Sequence, residues 1–355
     1  MSAGVPKAAL YYFPTAIWPS APLMALEEKG YGPDEVDLKL VDLAKGENFT
    51  PQYLRLNPHG TVPTLVVPLH NTLSPEIESR YKALQDTKSI VEFIDKSRST
   101  QSRTHTTSSA PSPSLSPATI AFSAISDKVI TLLHSEPADP NALLYLSARD
   151  EASLRALAKA RVPMLSARRN TLAQLLEDSA ADRIHVSEKT RAFWTMKKTA
   201  TENFLDVFKD AEKPSSALDD VERQKREAYL KDAKLTWAGL KEVLPQLNQE
   251  LIGPYVLGDQ LSVADLHLAA WLARIVMLSG GTIEEDGNTV VGKLEAHVGP
   301  GFTLPKGISI TEARRRAGLP LPETETDERQ SRLAAFWDAM KERPSFQKIY
   351  ADGLH

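Results

Sequence analysis

Leu56-Asn57-Pro58-His59-Gly60-Thr61-Val62-Pro63-Thr64-Leu65, followed by Gln85-Asp86-Thr87-Lys88-Ser89-Ile90-Val91-Glu92-Phe93-Ile94, is the stretch that decides the fold. Asn-Pro and His-Gly are turn dipeptides, and they give way to an apolar run over residues 64–67. Pro63 is therefore expected to open a strand, where its missing N–H costs no ladder bond. Val62 then presents its backbone N–H and C=O as an edge on which an extended peptide can pair. Downstream, Asp86-Thr87 precedes the helical pattern Ile90, Val91, Ile94, and a helix start leaves free N–H groups facing whatever docks there. A carboxylate beside those donors suits a ligand that carries both an ammonium and a carboxylate.

Outward from this stretch, residues 8–13 (AALYYF) read as a buried strand of β-formers. A loop over 14–19 leads to a helix with Ser20 as N-cap and Gly30 as its stop. Val36, Leu38 and Leu40 alternate with Asp37 and Lys39, the period of a second strand. Residues 45–56 read as a helix or irregular turn, 69–80 as an enlarged hairpin loop, 81–84 as the last strand and 88–96 as the closing helix. The order βαβαββα predicts an α/β thioredoxin-like domain over residues 1–96.

Residues 97–117 hold 15 Ser, Thr or Pro in 21 positions. Such a segment buries too little apolar surface to offset its ordering entropy, so a flexible linker or surface loop is expected. From 118 to 355 the pattern is helical. A long helix over 151–182 is expected to be interrupted near Pro163. Leu230, Ala233, Trp237, Leu240, Leu244, Leu247 and Leu251 recur at steps of 3 and 4, with Pro245 expected to kink or end that helix. Ser262-x-x-Asp265 is a capping-box variant ahead of an apolar helix over 266–278.

Composition narrows the function. A hydrophobic content of 42%, a charged content of 25% and a net charge of −4 describe an ordinary globular protein with no nucleic-acid footprint. No run approaches the ~18 apolar residues of a membrane span. The first residues lack the layout of a signal peptide, so a cytoplasmic location is the default. There is no cysteine. Disulfides, thiolate metal sites and an enzyme-borne thiol nucleophile are thereby excluded, and any thiol chemistry must use the ligand's thiol. The histidines show no metal-ligand spacing, and neither a phosphate-binding glycine loop nor a triad is present.

Asn-Pro-x-Gly-x-Val-Pro followed by an acid-hydroxyl pair resembles the glutathione-binding half of the glutathione transferases. Gly258-Asp259-x-x-Ser262-x-Ala264-Asp265 resembles the central buried helix of their helical domain, where its role is structural. The resemblance implies an enlarged all-α C-terminal domain. It also implies that the Val62-Pro63 backbone pairs with the cysteinyl part of glutathione and that Asp86-Thr87 holds its γ-glutamyl group. Asp86-Thr87 stands where the family usually has Glu/Gln-Ser, and the shorter acid reaches less far. Asn48 stands where several members bind the glycyl carboxylate. The excess length over about 142–213 and 280–324, with the stretch before the turn, resembles fungal transferases and the ganglioside-induced differentiation-associated branch, without that branch's membrane anchor.

Thiolate chemistry at neutral pH requires lowering a thiol pKa of about 8.5, by a hydroxyl donor and the positive end of a helix. Leu10-Tyr11-Tyr12-Phe13 resembles the Leu-x-Tyr-Phe of the tyrosine-type members, which makes Tyr12 the first catalytic candidate. Ser20 is the serine-type alternative and Thr15 a third. Trp18 either lines an apolar electrophile pocket or covers the site. The resemblance implies conjugation of glutathione, as co-substrate and without a metal, to apolar electrophiles in detoxification or secondary metabolism, by a possible homodimer. The alternative is a non-catalytic ligand-binding or interaction protein on the same scaffold.

Overall fold

The computed structural model describes residues 7–68, 81–99, 108–321 and 328–355. The expected loop over 69–80, the N-terminal residues read for a signal peptide and part of the Ser/Thr/Pro segment lie outside them. In chain order the elements are β1 (Ala8–Tyr12), α1 (Ile17–Glu28), β2 (Val36–Leu40), a 3-10 turn (Glu47–Phe49), α2 (Pro51–Leu56), β3 (Thr64–Pro68), β4 (Tyr81–Leu84) and α3 (Thr87–Ser97). The helices α4 (Ile120–Leu133), α5 (Pro140–Tyr145), α6 (Glu151–Ala180), α7 (Glu188–Phe208), α8 (Asp220–Ala238), α9 (Leu240–Glu250) and α10 (Val263–Leu278) follow. The chain continues through α11 (Gly287–Val298), β5 (Ile308–Ser309), α12 (Ile310–Ala317), β6 (Arg329–Gln330), α13 (Arg332–Lys341) and α14 (Pro344–Ile349). Among the described residues no helix is long and apolar enough to cross a membrane.

Two compact units emerge: residues up to 39 with 63–140 and 237–355, and residues 40–62 with 141–236. In the first, the sheet order is β2-β1-β3-β4, with β3 antiparallel to β1 and to β4. Val67 pairs with Lys82 and Leu10 with Leu65, and Leu10, Leu65 and Val67 are buried. β2 is an edge strand, so the alternation read there does not bury its apolar positions: Leu38 and Leu40 are 49% and 58% exposed. α10 forms the middle of this unit, buried at each position from Val263 to Val276, with α1 and α4 packed on it. A two-residue β5–β6 ladder and an isolated bridge between Tyr255 and Gly258 depart from the all-helical reading after 118.

The described part of the Ser/Thr/Pro segment is a held surface loop, one of the two forms expected from its composition, rather than a flexible linker. Leu115 and Ser112 are buried, Leu115 N and Ser116 N donate to the Asp95 carboxylate at 2.9 Å, and Ser116 Oγ donates to it at 2.5 Å. Lys29 pairs with the same carboxylate at 2.9 Å and donates to Pro113 O at 2.6 Å. Partners on the folded body supply what composition could not show. Burial pushes the Asp95 carboxyl up, but the Ser116, Leu115 and Lys29 hydrogen bonds outweigh it and hold it below the usual range. The stabilisation from a depressed acid is complete above its unfolded value of about 3.9 and fades as pH falls through the lower folded value. The stability difference between wild type and Asp95→Asn, read by urea unfolding, is therefore expected to be largest near pH 6 and to shrink below about pH 4.

The second unit is an antiparallel hairpin of α6 and α7 with α8 alongside. Leu154, Ala158, Leu165, Phe208, Tyr229 and Ala233 form one of its cores, and Phe49, Leu172 and Trp194 another. α6 runs unbroken through Pro163, against the interruption expected there. The periodic stretch from Leu230 to Leu251 is two helices, parted at Gly239 rather than at Pro245. A proline clashes with the carbonyl four residues earlier, here Lys241, so distortion falls in the preceding turn.

Candidate active site

β1 ends at Tyr12, and a single turn closed by Ala16 N donating to Phe13 O at 3.0 Å leads into α1. The helix starts at Ile17 with Ala16 as its N-cap, which corrects the expectation of a cap at Ser20. Alanine has no side-chain acceptor, so the first-turn N–H groups stay uncapped. α2, α3, α4, α6, α7, α11, α12 and α13 each have a capping side chain instead. Two hydroxyl-bearing residues come just before the open start of α1 in the chain: Tyr12, half-buried, and Thr15, exposed. Thr15 O accepts from Arg274 Nη2 at 2.9 Å, which fixes this turn.

Ser20 lies in the second turn of α1 and is 1% exposed, with Oγ 3.2 Å from His355 Nε2. Its hydroxyl is engaged inside the helical packing, where periodicity alone could not place it. Trp18 stacks on His134 with ring centroids 3.9 Å apart, and His134 Nε2 lies 3.0 Å from His267 Nδ1. Burial, then the charges of His134 and Lys88, push the His267 imidazole down to about 3. Burial lowers His134 as well, with Asp86 opposing.

The ladder pairs Tyr11 with Thr64, so one further step brings Tyr12 level with Pro63. Pro63 directly precedes β3, as expected. At the start of α3, Asp86 is the N-cap, and Oδ1 accepts from Ser89 N at 2.8 Å. One of the donors read as free for a ligand is thus already capped. Thr87, the first helical residue, is buried while Asp86 is exposed.

In the second unit, Asn48 and two side chains to which the sequence pattern gives no role, Tyr53 and Asn57, fix the turn before Val62. Asn48 Nδ2 donates to Gly60 O at 2.7 Å, Tyr53 Oη to Thr61 O at 2.6 Å, and Asn57 Nδ2 to Thr61 O at 2.9 Å. Asn57 Oδ1 also accepts from His59 N at 3.0 Å, the Asx turn that the Asn-Pro-His-Gly run encodes. Asn48 is 3% exposed and acts here as a staple on the turn, with Oδ1 buried and without a partner among the described residues. Gly60 has φ +61°, and a Cβ there would lie 3.1 Å from Asn48 O and 3.3 Å from Phe193 Cζ. Gly60→Ala is expected to cost about 1–2 kcal/mol, the penalty of a left-handed conformation with a side chain. Urea unfolding reads that loss.

Asp265 joins the turn before α10 to the helix. It is wholly buried and accepts from Val256 N at 2.7 Å, Ser262 N at 2.7 Å and Ser262 Oγ at 2.6 Å. Burial pushes this carboxyl up to about 6 against those hydrogen bonds. Among the described residues no group of three or more acidic or histidine side chains is placed to hold a metal ion.

Residues 17–97 match the family model of the glutathione S-transferase N-terminal domain, and residues 207–290 that of the C-terminal domain. No curated protein matches the chain. Among solved structures, glutathione transferase F2 from Populus trichocarpa is 14% identical with a TM-score of 0.46, covering 98% of each chain. A glutathione transferase homolog from Sulfitobacter with bound glutathione is 17% identical with a TM-score of 0.44, again over 98% of each. The beta-etherase LigF from Sphingobium sp. strain SYK-6 is 14% identical with a TM-score of 0.45, over 98% of this chain and 100% of that one. A thioredoxin-like N-terminal domain is followed by a large helical domain, and the matches to both domain models, in this order along the chain, support the glutathione S-transferase family.

Proposed function

We propose that the protein is a glutathione S-transferase that activates the thiol of glutathione for attack on apolar electrophiles. The observation that carries this reading is the uncapped start of α1, one turn after Tyr12, with a second hydroxyl at Thr15. Open N–H groups at a helix start favour an anion, and a phenol donor beside them favours the thiolate over the thiol. Tyr12 is assigned the donor role and Thr15 is the alternative. Ser20 is set aside because its hydroxyl is buried against His355. The Val62 backbone and Pro63 take the cysteinyl part, and Asp86 with Thr87 the γ-glutamyl group. Asn48 acts on glutathione through the turn it staples.

Chemically, the bound thiol loses its proton to solvent and sulfur attacks the electrophilic carbon. The nucleofuge leaves with the bonding pair, or, on a polarised double bond, the π pair shifts to the electron-withdrawing group and is protonated by solvent. A cytoplasmic detoxification role, a homodimer, the fungal or ganglioside-induced differentiation-associated type of branch, and domain limits at 1–96, 97–117 and 118–355 belong to the same proposal. Calorimetric titration with glutathione, followed by turnover against a panel of activated aryl halides and enones, tests it. Micromolar to millimolar binding with turnover is expected, and absence of glutathione binding would remove the reading.

A further inference from the structure

We propose that the α6–α7 hairpin carries a binding site, built on Arg168 and Lys197, for the oxyanion group of a small ligand. Several other cations of this hairpin are paired: Arg155 with Glu151, Arg183 with Glu177 and Asp178, Arg191 with Glu188, Lys198 with Glu202, and Lys209 with Asp206. Arg168 and Lys197, both half-buried, have no carboxylate partner among the described residues. Each lies against an aromatic face instead. Arg168 Cζ is 5.7 Å from the centroid of Phe49 and Lys197 Nζ 5.4 Å from that of Phe193, and the two rings are 6.2 Å apart.

A ring face holds a cation without neutralising it, so both charges stay available to a ligand. The platform under them is fixed: Trp194 Nε1 donates to Phe49 O at 3.0 Å, and Thr171 Oγ1 donates to Lys45 O at 2.9 Å. Arg168 Nε is buried with no partner among the described residues. Burial, and next the charge of Arg168, lower the Lys197 ammonium. Two half-buried like charges held together cost stability unless an anion joins them. A planar guanidinium that can bind two oxygens, next to a point-charge ammonium, matches a carboxylate or phosphate group. Carboxylates and phosphate compounds share this chemistry, and titration tells the sources apart. The site does not depend on the transferase reading.

The test uses the full chain and isothermal titration at low salt with three probes: inorganic phosphate, glutathione and γ-glutamylcysteine, which lacks the glycyl residue. Arg168→Gln and Lys197→Gln are compared with Lys189→Gln, an exposed control on the same hairpin, after circular dichroism has shown each folded. Either site variant is expected to lose at least tenfold in phosphate affinity while the control is unchanged. A matching loss for glutathione but not for γ-glutamylcysteine assigns the oxyanion to the glycyl carboxylate. A loss confined to phosphate assigns a separate ligand. Wild type binding none of the probes, or both site variants behaving like the control, would overturn the proposal. Phosphate bound by Arg168 and Lys197 in a protein that ignores glutathione would sink the transferase reading and leave this site standing.

Discussion

Tyr12→Phe is expected to lower kcat/KM for glutathione conjugation by about 10²-fold, the usual loss when one donor to a developing or resting anion is removed from a preorganised site. β1 delivers Tyr12 to the mouth of a single turn, and Ala16 leaves the next helix start open. Removing the hydroxyl leaves the helix end as the main stabiliser of the thiolate, so the pH–rate profile is also expected to shift upward by about a unit or more. Phe keeps the ring and its packing, so the melting temperature should stay within a degree or two. A full-rate Tyr12→Phe together with a crippled Thr15→Ala would move the role to Thr15, whose side chain is the more exposed of the two.

Asp265→Ala is expected to destabilise the protein by about 3–5 kcal/mol, the range for removing one partner of a buried, hydrogen-bonded charged group. The substitution leaves the N–H groups of Val256 and Ser262 and the Ser262 hydroxyl without their acceptor. These donors join the turn at residues 255–262 to the helix buried through the middle of its unit. Asp265→Asn restores one acceptor oxygen but points an NH2 group at the remaining donors, so it should recover only part of the loss. Urea unfolding of the three proteins side by side measures both effects, and equal stabilities would contradict the account of this motif.

The strands and turn around Val62-Pro63 were legible because proline, Asn-Pro and His-Gly act locally: each restricts its own backbone or that of its neighbour. The Asp86 cap and the Ser262-x-x-Asp265 box were legible for the same reason. What failed depended on distant partners. Ser20 has the residue type of a cap, yet its hydroxyl meets His355, 335 positions away. Residues 108–117 have a composition that fits tether and surface loop alike, and Asp95, Arg98 and Lys29 decide for the loop. The excess residues near 142–213 had no readable role, since nothing local says that Trp194 and Thr171 would brace the segment carrying Asn48 and Gly60. Asn48 was legible as a position of interest, but its work on the Gly60 carbonyl was not.

On the proposed reading, glutathione held by this chain has its thiol ionised. Ultraviolet difference absorbance of the thiolate, recorded on the purified protein with saturating glutathione from pH 5 to 9, tests it most directly. Thiolate absorbance that appears well below the free thiol's value of about 8.5 is the predicted result. Glutathione that binds but titrates at its free value would contradict it, and the uncapped start of α1 would then have no part in activating sulfur.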